Sequence, residues 1–288
     1  MKLCRFALGT ETRARVGLVD ESSGGRIVDL SAEGIDSLTA LMEFEGLTEE
    51  LGRLSGLGLP CFDPVAVQLL APVEQQEVWA AGVTYLRSKK ARMEESDFSA
   101  TAYDRVYEAE RPEIFFKSMP QKVVPPGGGV GIRRDARWNV PEPELVLVCN
   151  SRGHIAGFSI GNDMSSRDIE GENLLYLPQA KIYDRSCAMG PFVVVGVSEA
   201  TAREWTISSG ITRDGVVVFE GETSVGQLKR SFEDLASFLF RSQTFPNGAC
   251  LLTGTGIVPP DTFTLQPGDE VTIRVSGIGT LQNSVVVV

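Results

Sequence analysis

Two glutamates, Glu142 and Glu144, precede an apolar, β-branched stretch near the middle of the 288-residue chain. The surrounding sequence, EPELVLVCNSRGHIAGFSIGND, predicts two antiparallel strands joined by a turn at Asn-Ser-Arg-Gly. Residues two apart on a strand point to the same face, so the two carboxylates are predicted to lie side by side. Carboxylates about 7 Å apart repel by roughly 2 kcal/mol at an effective dielectric constant near 20. A bound cation would offset this repulsion.

A third carboxylate, Asp163, ends the predicted hairpin. With the loop centred between Ser151 and Arg152, the predicted pairs are Glu144 with Ser159, Glu142 with Gly161 and Asp163 with Val140. Directly opposed residues share a face, so all three carboxylates would line one side, whereas an odd-length loop without a bulge would reverse Asp163. Three oxygen ligands suit Mg²⁺, with Mn²⁺ or Ca²⁺ as alternatives. An exposed edge strand is the competing interpretation, since Pro143 is typical of such strands.

The composition argues against several classes of partner. A formal net charge of -11 disfavours nucleic acid and anionic membranes, although a small anionic substrate can bind if the site carries its own cations. No apolar run is long enough to span a membrane, and the first residues lack the apolar core of a signal peptide. The five cysteines are scattered and form no CxxC motif, which predicts buried thiols in a cytoplasmic protein.

The order of predicted elements suggests a small N-terminal domain over residues 1–72 and a main domain over residues 73–288, with the boundary near Pro72. The first is predicted to contain three strands and a helix from Ile35 to Leu54. Predicted elements of the main domain are a strand over Val78 to Val83, a hairpin turning at Asp214-Gly215 and a helix over Ser231 to Arg241. The charged segment Ser88 to Arg111 is predicted to be a solvated helix, with a mobile lid as the alternative. The cluster from Gly127 to Gly131 lacks a phosphate-binding pattern and predicts a turn.

Five motifs, in order, resemble the fumarylacetoacetate hydrolase superfamily over roughly residues 73 to 288: EPELVLV, GFSIGNDMSSRD, QAKIYDRSCAMGPFVV, LLTGTGIVP and LQPGDEVTIRVSGIGTLQN. Two further stretches, AAGVTYLRSKKARMEES and RPEIFFKSMPQK, look closer to its 2-keto-3-deoxy-D-arabinonate (or xylonate) dehydratase branch. The resemblance implies a strand-dominated α+β fold, a mixed β-sandwich roll of the fumarylacetoacetate hydrolase C-terminal-domain type with a small N-terminal α+β module. It also implies a homodimer or a tetramer.

The same resemblance implies roles for individual residues. The metal ligands of the family fall on Glu142, Glu144 and Asp163. Its catalytic lysine falls on Lys181, and its acid/base glutamate falls on Glu113. The candidates for contact with the substrate are Thr84, Tyr85, Arg87, Lys117, Ser165 and Thr255, the last by its place in the family's GTG motif.

The histidine content separates the possible reactions. Hydrolytic members of the superfamily use a His-Glu pair to activate water, and this chain has one histidine, His154, in the predicted turn far from the carboxylates. A surface turn residue is the favoured interpretation of His154. The departure therefore favours a reaction that needs no activated water.

The expected reaction is the metal-dependent removal of water from a 2-keto-3-deoxypentonate to give 2,5-dioxopentanoate. Lys181 is the expected base at C3 and Glu113 the expected acid for the C4 hydroxyl, with the reverse assignment as the alternative. An acylpyruvate hydrolase or an oxaloacetate decarboxylase is an alternative function on the same scaffold. A non-catalytic metal-binding domain is the alternative from another class.

Overall fold

The computed structural model describes residues 1–9, 11, 13–86 and 104–288, which form a strand-dominated α+β fold. The strands of the described residues are β1 (Lys2–Leu8), β2 (Arg15–Asp20), β3 (Arg26–Asp29), β4 (Cys61–Phe62), β5 (Val67–Leu70), β6 (Glu77–Gly82), β7 (Glu113–Ser118), β8 (Gly129–Ile132), β9 (Asn139–Val140), β10 (Pro143–Cys149), β11 (Ile155–Asp163), β12 (Ser165–Ser166), β13 (Cys187–Val195), β14 (Thr206–Arg213), β15 (Val216–Ser224), β16 (Ala249–Leu252), β17 (Glu270–Val275) and β18 (Gly279–Val287). The α-helices whose bounds lie wholly within the described residues are α1 (Leu38–Leu41), α2 (Leu47–Ser55), α3 (Arg167–Glu172), α4 (Leu177–Lys181), α5 (Glu199–Ala202) and α6 (Phe232–Phe240).

Two mixed sheets carry the fold. The larger has 11 strands in the order β4-β3-β2-β1-β13-β11-β10-β16-β6-β7, with β5 paired to β1. The smaller has the order β15-β14-β17-β18-β8, and β9 and β12 form a separate two-stranded sheet. Parallel pairs occur between β16 and β6 and between β18 and β8, while the other neighbours are antiparallel. The expected strand-dominated fold with a small N-terminal module is confirmed.

The N-terminal strands extend the larger sheet, because Lys2 and Leu3 of β1 pair with Val194 and Val193 of β13. A domain boundary near Pro72 stays a prediction. The single helix expected from Ile35 to Leu54 is wrong, because the segment forms two short helices, α1 and α2, separated at Gly46. Gly46 has a φ of 73°, a left-handed conformation that favours glycine and that ends regular helix geometry.

Other predicted elements have mixed outcomes. The strand near Val78 (β6), the hairpin turning at Asp214-Gly215 and the helix after Ser231 (α6) are confirmed. The turn from Gly127 to Gly131 is partly wrong, because residues from Gly129 onward pair with β18 as part of β8. Arg87 and most of the charged segment Ser88 to Arg111 lie outside the described residues, and of the rest, residues 104–108 are helical. No helix of the described residues is long and apolar enough to cross a membrane.

The β10–β11 hairpin lies in the middle of the larger sheet. The edge-strand interpretation of β10 is wrong, because β10 pairs with both β11 and β16 and all of its residues are buried. The predicted register is also wrong by two residues, since the pairs are Glu144 with Gly161 and Val146 with Ser159. The loop between the strands, residues 150–154, has an odd length, and an irregularity at Val148/Cys149 compensates for it. The shared face of the three carboxylates is therefore preserved.

Apolar side chains cover both faces of this hairpin. Leu145 and Leu147 point into a core shared with the smaller sheet, represented by Ile273 and Leu281. Val146 and Val148 point to the opposite side, into a core shared with the N-terminal helices. Glu142 and Glu144 belong to the second face by the two-residue period of the strand. The carboxylates thus lie at one end of a central hairpin whose other buried side chains are largely apolar.

Candidate metal centre and active site

Three carboxylates converge at the end of the β10–β11 hairpin. Ligand oxygens of Glu142, Glu144 and Asp163 all lie within 4.8 Å of one another, and the three residues are buried. The backbone explains the arrangement, because the N–H of Asp163 donates to the carbonyl oxygen of Glu142 at 3.0 Å and Glu144 pairs with Gly161. Glycine opposite Glu144 is needed for space, since a Cβ there would overlap Val146 and Leu252.

Basic side chains surround the three carboxylates. Lys181 Nζ lies 2.9 Å from Glu142 Oε2, 3.1 Å from Asp163 Oδ2 and 2.6 Å from Ser165 Oγ. Arg167 Nη2 donates to Glu142 Oε1 at 2.9 Å, and Lys117 Nζ forms an ion pair with Asp163 Oδ1. All three basic side chains are buried. The site is therefore a buried array of alternating charges rather than a solvated acidic patch.

Glu144 has a different environment from the other two carboxylates. Its Oε2 accepts a hydrogen bond of 2.6 Å from the backbone N–H of Gly254. Burial raises the pKa of Glu144 well above its usual range, and the charges of Asp163 and Glu142 raise it further, against the opposing effects of Lys181 and the Gly254 N–H. The protein alone thus disfavours the charged form of Glu144.

These properties fit a hard divalent cation. The converging side-chain oxygens belong to carboxylates, which Mg²⁺ and Ca²⁺ prefer over nitrogen or sulfur ligands. A dication at Glu142, Glu144 and Asp163 would oppose the repulsion that raises the pKa of Glu144. The predicted metal ligands are therefore brought together by the fold.

Of the other predicted site residues, some contact the carboxylates directly and others do not. Lys181 and Ser165 touch each other, and Lys181 touches two of the carboxylates. Glu113 begins β7 and covers Gly82, where its carboxylate leaves no room for a Cβ. Arg87 lies outside the described residues.

The loop after β16 brings a second group of predicted residues next to Glu144. Thr84 Oγ1 donates to the carbonyl oxygen of Thr253 at 2.6 Å and packs against Gly254, whose φ is 92°. The Thr255 hydroxyl is held within its own loop, with Ile257 N donating to it at 3.1 Å. Tyr85 is buried, and the nearby charge of Glu144 adds to the effect of burial in raising the pKa of its hydroxyl. Thr84 thus packs against the Gly254 loop, whose backbone reaches Glu144.

Sequence reasoning missed Arg167 and Phe115. Arg167 begins α3 directly after β12, so no strand period placed it beside Glu142, and its nearness to Asp163 and Ser165 in the chain was the available signal. Phe115 places its ring 5.8 Å from Lys181 Nζ, and it shares a face of β7 with Glu113 by the two-residue period of the strand. The backbone N–H of Gly254 had no signal in the pattern of side chains.

His154 lies in the loop at the opposite end of the hairpin, where its backbone N–H donates to Asn150 Oδ1. Eight residues of β11 lie between it and Asp163, which corresponds to roughly 30 Å at the rise of a strand. The expected position of His154 as a turn residue remote from the carboxylates is confirmed.

Comparison with known proteins identifies the class. Residues 77–286 match the family model for the C-terminal domain of fumarylacetoacetate (FAA) hydrolase, so the chain belongs to the fumarylacetoacetate hydrolase family. A probable 2-keto-3-deoxyxylonate dehydratase of Haloferax volcanii is 50% identical over 217 residues, which cover 75% of this chain and 74% of the relative. The 2-dehydro-3-deoxy-D-arabinonate dehydratase of Saccharolobus solfataricus is 39% identical over 254 residues and 85% of each chain.

The fold is also similar to that of a solved dehydratase structure. It is a 2-keto-3-deoxy-D-arabinonate dehydratase complexed with magnesium and 2,5-dioxopentanoate, with a TM-score of 0.83 and 31% sequence identity. The match covers 100% of this chain and 99% of that chain. The expected resemblance to the dehydratase branch of the family is confirmed.

Proposed function

We propose that this protein is a Mg²⁺-dependent hydro-lyase that converts a 2-keto-3-deoxypentonate into 2,5-dioxopentanoate. One observation carries the proposal: a buried lysine, Lys181, contacts two of three converging carboxylates in a chain related to dehydratases over most of its length. Those relatives include one whose structure holds magnesium and 2,5-dioxopentanoate. The ligands for the ion are Glu142, Glu144 and Asp163.

The chemistry requires a base, an acid and a group that stabilises negative charge. In the substrate, the C2 ketone acidifies the C3 proton, and the C4 hydroxyl is the leaving group. When bound, Mg²⁺ supplies positive charge that stabilises the negative charge developing on the substrate oxygens. The protein residues then have to move two protons, one from C3 and one to the departing hydroxyl.

Lys181 is the proposed base. Its Nζ is held by Ser165 and by two of the metal ligands, which supports a position next to the substrate's ketone end. Lys181 takes the C3 proton, the C4–O bond breaks, and Glu113 gives its proton to the leaving hydroxyl, so that water is released. The unsaturated product isomerises to 2,5-dioxopentanoate. The reverse assignment of Lys181 and Glu113 is the alternative within this proposal.

The remaining predicted contacts are proposed to hold the substrate. Thr255 is the proposed ligand of the substrate carboxylate, and Thr84, Tyr85 and Arg87 are proposed to face the sugar hydroxyls. The burial of Thr84 and Tyr85 beside the Gly254 loop supports a shaped wall for a small substrate. We also propose that the chain forms a homodimer or a tetramer, as in the expectation from the family, and light scattering of the purified protein tests this.

A product assay tests the proposed function. Purified, Mg²⁺-loaded protein is incubated with racemic 2-keto-3-deoxypentonate, and 2,5-dioxopentanoate is read out through a coupled aldehyde dehydrogenase, with and without EDTA. The expected result is product formation that EDTA abolishes. Metal-dependent consumption of acylpyruvates or oxaloacetate, with no 2,5-dioxopentanoate from the sugar acid, would contradict the proposal and support the alternative activities.

A further inference from the structure

Lys117 is a second buried lysine at the site, and its ammonium group is surrounded by protein oxygens. The side chain lies in β7 and is 0% exposed. Its Nζ donates to the carbonyl oxygens of Met164, at 3.0 Å, and of Lys181, and it pairs with Asp163 Oδ1. The two carbonyls use two of the three N–H donors of the ammonium group, and the Asp163 carboxylate pairs with its charge. Lys117 therefore contacts oxygens of two separate chain segments, one that carries Asp163 and one that carries Lys181.

We propose that Lys117 is a positioning residue that fixes Lys181 and Asp163 relative to each other. This role replaces the contact with substrate that the sequence suggested. The inference rests on the proposed function of Lys181 as the base. It adds a requirement to that function: Lys181, which moves the proton, has to be held in place by Lys117, which takes no part in the proton transfer.

The contact with the Lys181 carbonyl lies at the end of a helix. Lys181 is the last residue of α4, where backbone carbonyls lack an N–H partner inside the helix. A cation at this end satisfies such a carbonyl and interacts favourably with the helix dipole. Since the side chain of Lys181 starts from the same residue, fixing its carbonyl also fixes the point from which Nζ reaches Glu142 and Ser165.

The contacts with Asp163 and Met164 fix the other partner. Lys117 holds the carboxylate of Asp163 directly, and it holds the backbone of the next residue through the carbonyl of Met164. One ammonium group thus joins the chain segment that carries a metal ligand to the segment that carries the proposed base. Reacting groups need such support, because a displacement of about 1 Å can cost roughly a hundredfold in rate.

Phe115 extends the same support along β7. Phe115 lies two residues before Lys117 in the same strand, and the pairing of β7 with β6 is irregular at Lys117. The ring of Phe115 lies 5.8 Å from Lys181 Nζ, within the range of a cation–π contact. β7 therefore supports Lys181 at its backbone through Lys117 and at its ammonium group through Phe115.

Charge balance alone is the competing explanation of Lys117. The two explanations predict different results when the charge is removed. If Lys117 only offsets the carboxylates, its loss makes the site more attractive to a cation and leaves kcat unchanged at saturating Mg²⁺. If Lys117 positions Lys181, kcat falls even though the metal ion binds at least as well.

The test compares Lys117→Met, which has no donors, with Lys117→Gln, whose amide still has two N–H groups for the two carbonyls. Lys122→Met is the matched control, because Lys122 is exposed and pairs with Asp184. The measurements are kcat and KM for 2-keto-3-deoxypentonate at saturating Mg²⁺, and the Mn²⁺ dissociation constant by calorimetry. We expect Lys117→Met to lower kcat about a hundredfold, with KM within about threefold and Mn²⁺ binding not weakened, and Lys117→Gln to keep more of kcat.

Two results would overturn the inference: a folded Lys117→Met variant with the kcat of the wild type, or a loss of kcat that additional Mg²⁺ restores. If the methionine variant does not fold, the glutamine variant is read in the same way. If the wild type makes no 2,5-dioxopentanoate, the proposed function fails separately. Crystal structures of the wild type and the folded variant then decide, since Lys181 Nζ displaced by about 1 Å or more supports positioning and an unchanged Lys181 contradicts it.

Discussion

Proteins usually bury apolar residues and expose charged ones, and two antiparallel hairpins of this protein depart from that rule in opposite ways. One buries charged side chains, and the other exposes apolar ones. The β10–β11 hairpin buries Glu142, Glu144 and Asp163 at one end. The β14–β15 hairpin exposes Val216 and Val217 next to its turn, with 64% and 55% of their surfaces in water. Both hairpins contain one irregularity in register, so their local geometry is similar.

Position in the sheet accounts for the difference. β10 is enclosed by β11 and β16, and apolar cores cover both faces, so any charge there has to be compensated inside the protein. β15 is an edge strand of the smaller sheet, where exposed valines cost little. Buried carboxylates are therefore the more informative departure, because they raise the free energy of the folded chain and are retained where a bound cation and a reaction use them.

The largest expected effect follows from replacing the lysine that compensates the buried hairpin. Lys181→Met should lower kcat roughly a thousandfold or more, because it removes the proposed proton acceptor at C3. Mn²⁺ binding should not weaken, since the three carboxylates remain and a positive charge next to them is gone. Steady-state kinetics with 2-keto-3-deoxypentonate and calorimetry with Mn²⁺ check the two halves of this expectation.

The control for this variant is Lys122→Met, an exposed lysine whose loss should leave kcat near that of the wild type. A Lys181→Met protein that turns over at the rate of the wild type would remove Lys181 from the mechanism. A variant that loses metal binding together with activity would instead indicate that Lys181 supports the carboxylates and not the chemistry.

The sequence predicted the carboxylates of the buried hairpin correctly, for a physical reason. The two-residue period of a strand places Glu142 and Glu144 on one face whatever the exact register, so an error of two residues in pairing did no harm. The same period links Phe115 to Glu113, whereas Arg167 begins α3 just after β12. Both were missed because an arginine and a phenylalanine without a charge partner in the motif drew no attention. The pattern could not give the Gly254 N–H or the three contacts of Lys117, because backbone groups and distant segments meet only in the folded chain.

For the helix expected near the N-terminus, the sequence predicted the buried side chains but not the backbone conformation. Leu38, Leu41 and Leu51 are buried as their spacing suggested, but the helix is broken at Gly46, where a left-handed conformation intervenes. Apolar spacing predicted which side chains point inward. It did not predict whether the backbone stays helical between them, because two short helices can bury the same leucines.

A smaller effect is expected when Glu144 of the buried hairpin loses its charge. The change in stability should have opposite signs with and without Mg²⁺. The pKa of Glu144 is raised by burial and by its acidic neighbours, so the ion-free protein already disfavours the carboxylate. In EDTA, Glu144→Gln should therefore unfold at a higher temperature than the wild type, with a free energy of unfolding larger by roughly 1 kcal/mol. It should lose most of the stabilisation by Mg²⁺, which for the wild type is about 2.7 kcal/mol at a hundred times the dissociation constant.

Thermal unfolding in EDTA and in Mg²⁺ measures both effects. The matched control is Glu220→Gln on the exposed hairpin, which should change stability by less than about 0.5 kcal/mol in either condition. If Glu144→Gln is less stable than the wild type in EDTA, the buried charge of Glu144 does not destabilise the ion-free protein. If Mg²⁺ stabilises the variant as much as the wild type, Glu144 is not a ligand.

The smallest effect compares the same substitution in the two hairpins. Val146→Thr replaces a methyl group with a hydroxyl in a fully buried position between Gly161 and the core shared with the N-terminal helices, which should cost about 1–3 kcal/mol. Val217→Thr makes the identical change in water and should alter stability by less than about 0.5 kcal/mol. Chemical denaturation of both variants gives the comparison directly. Equal losses of stability at the two positions would mean that the exposed valines are covered in solution. The contrast between the two hairpins would then hold only for the chain by itself.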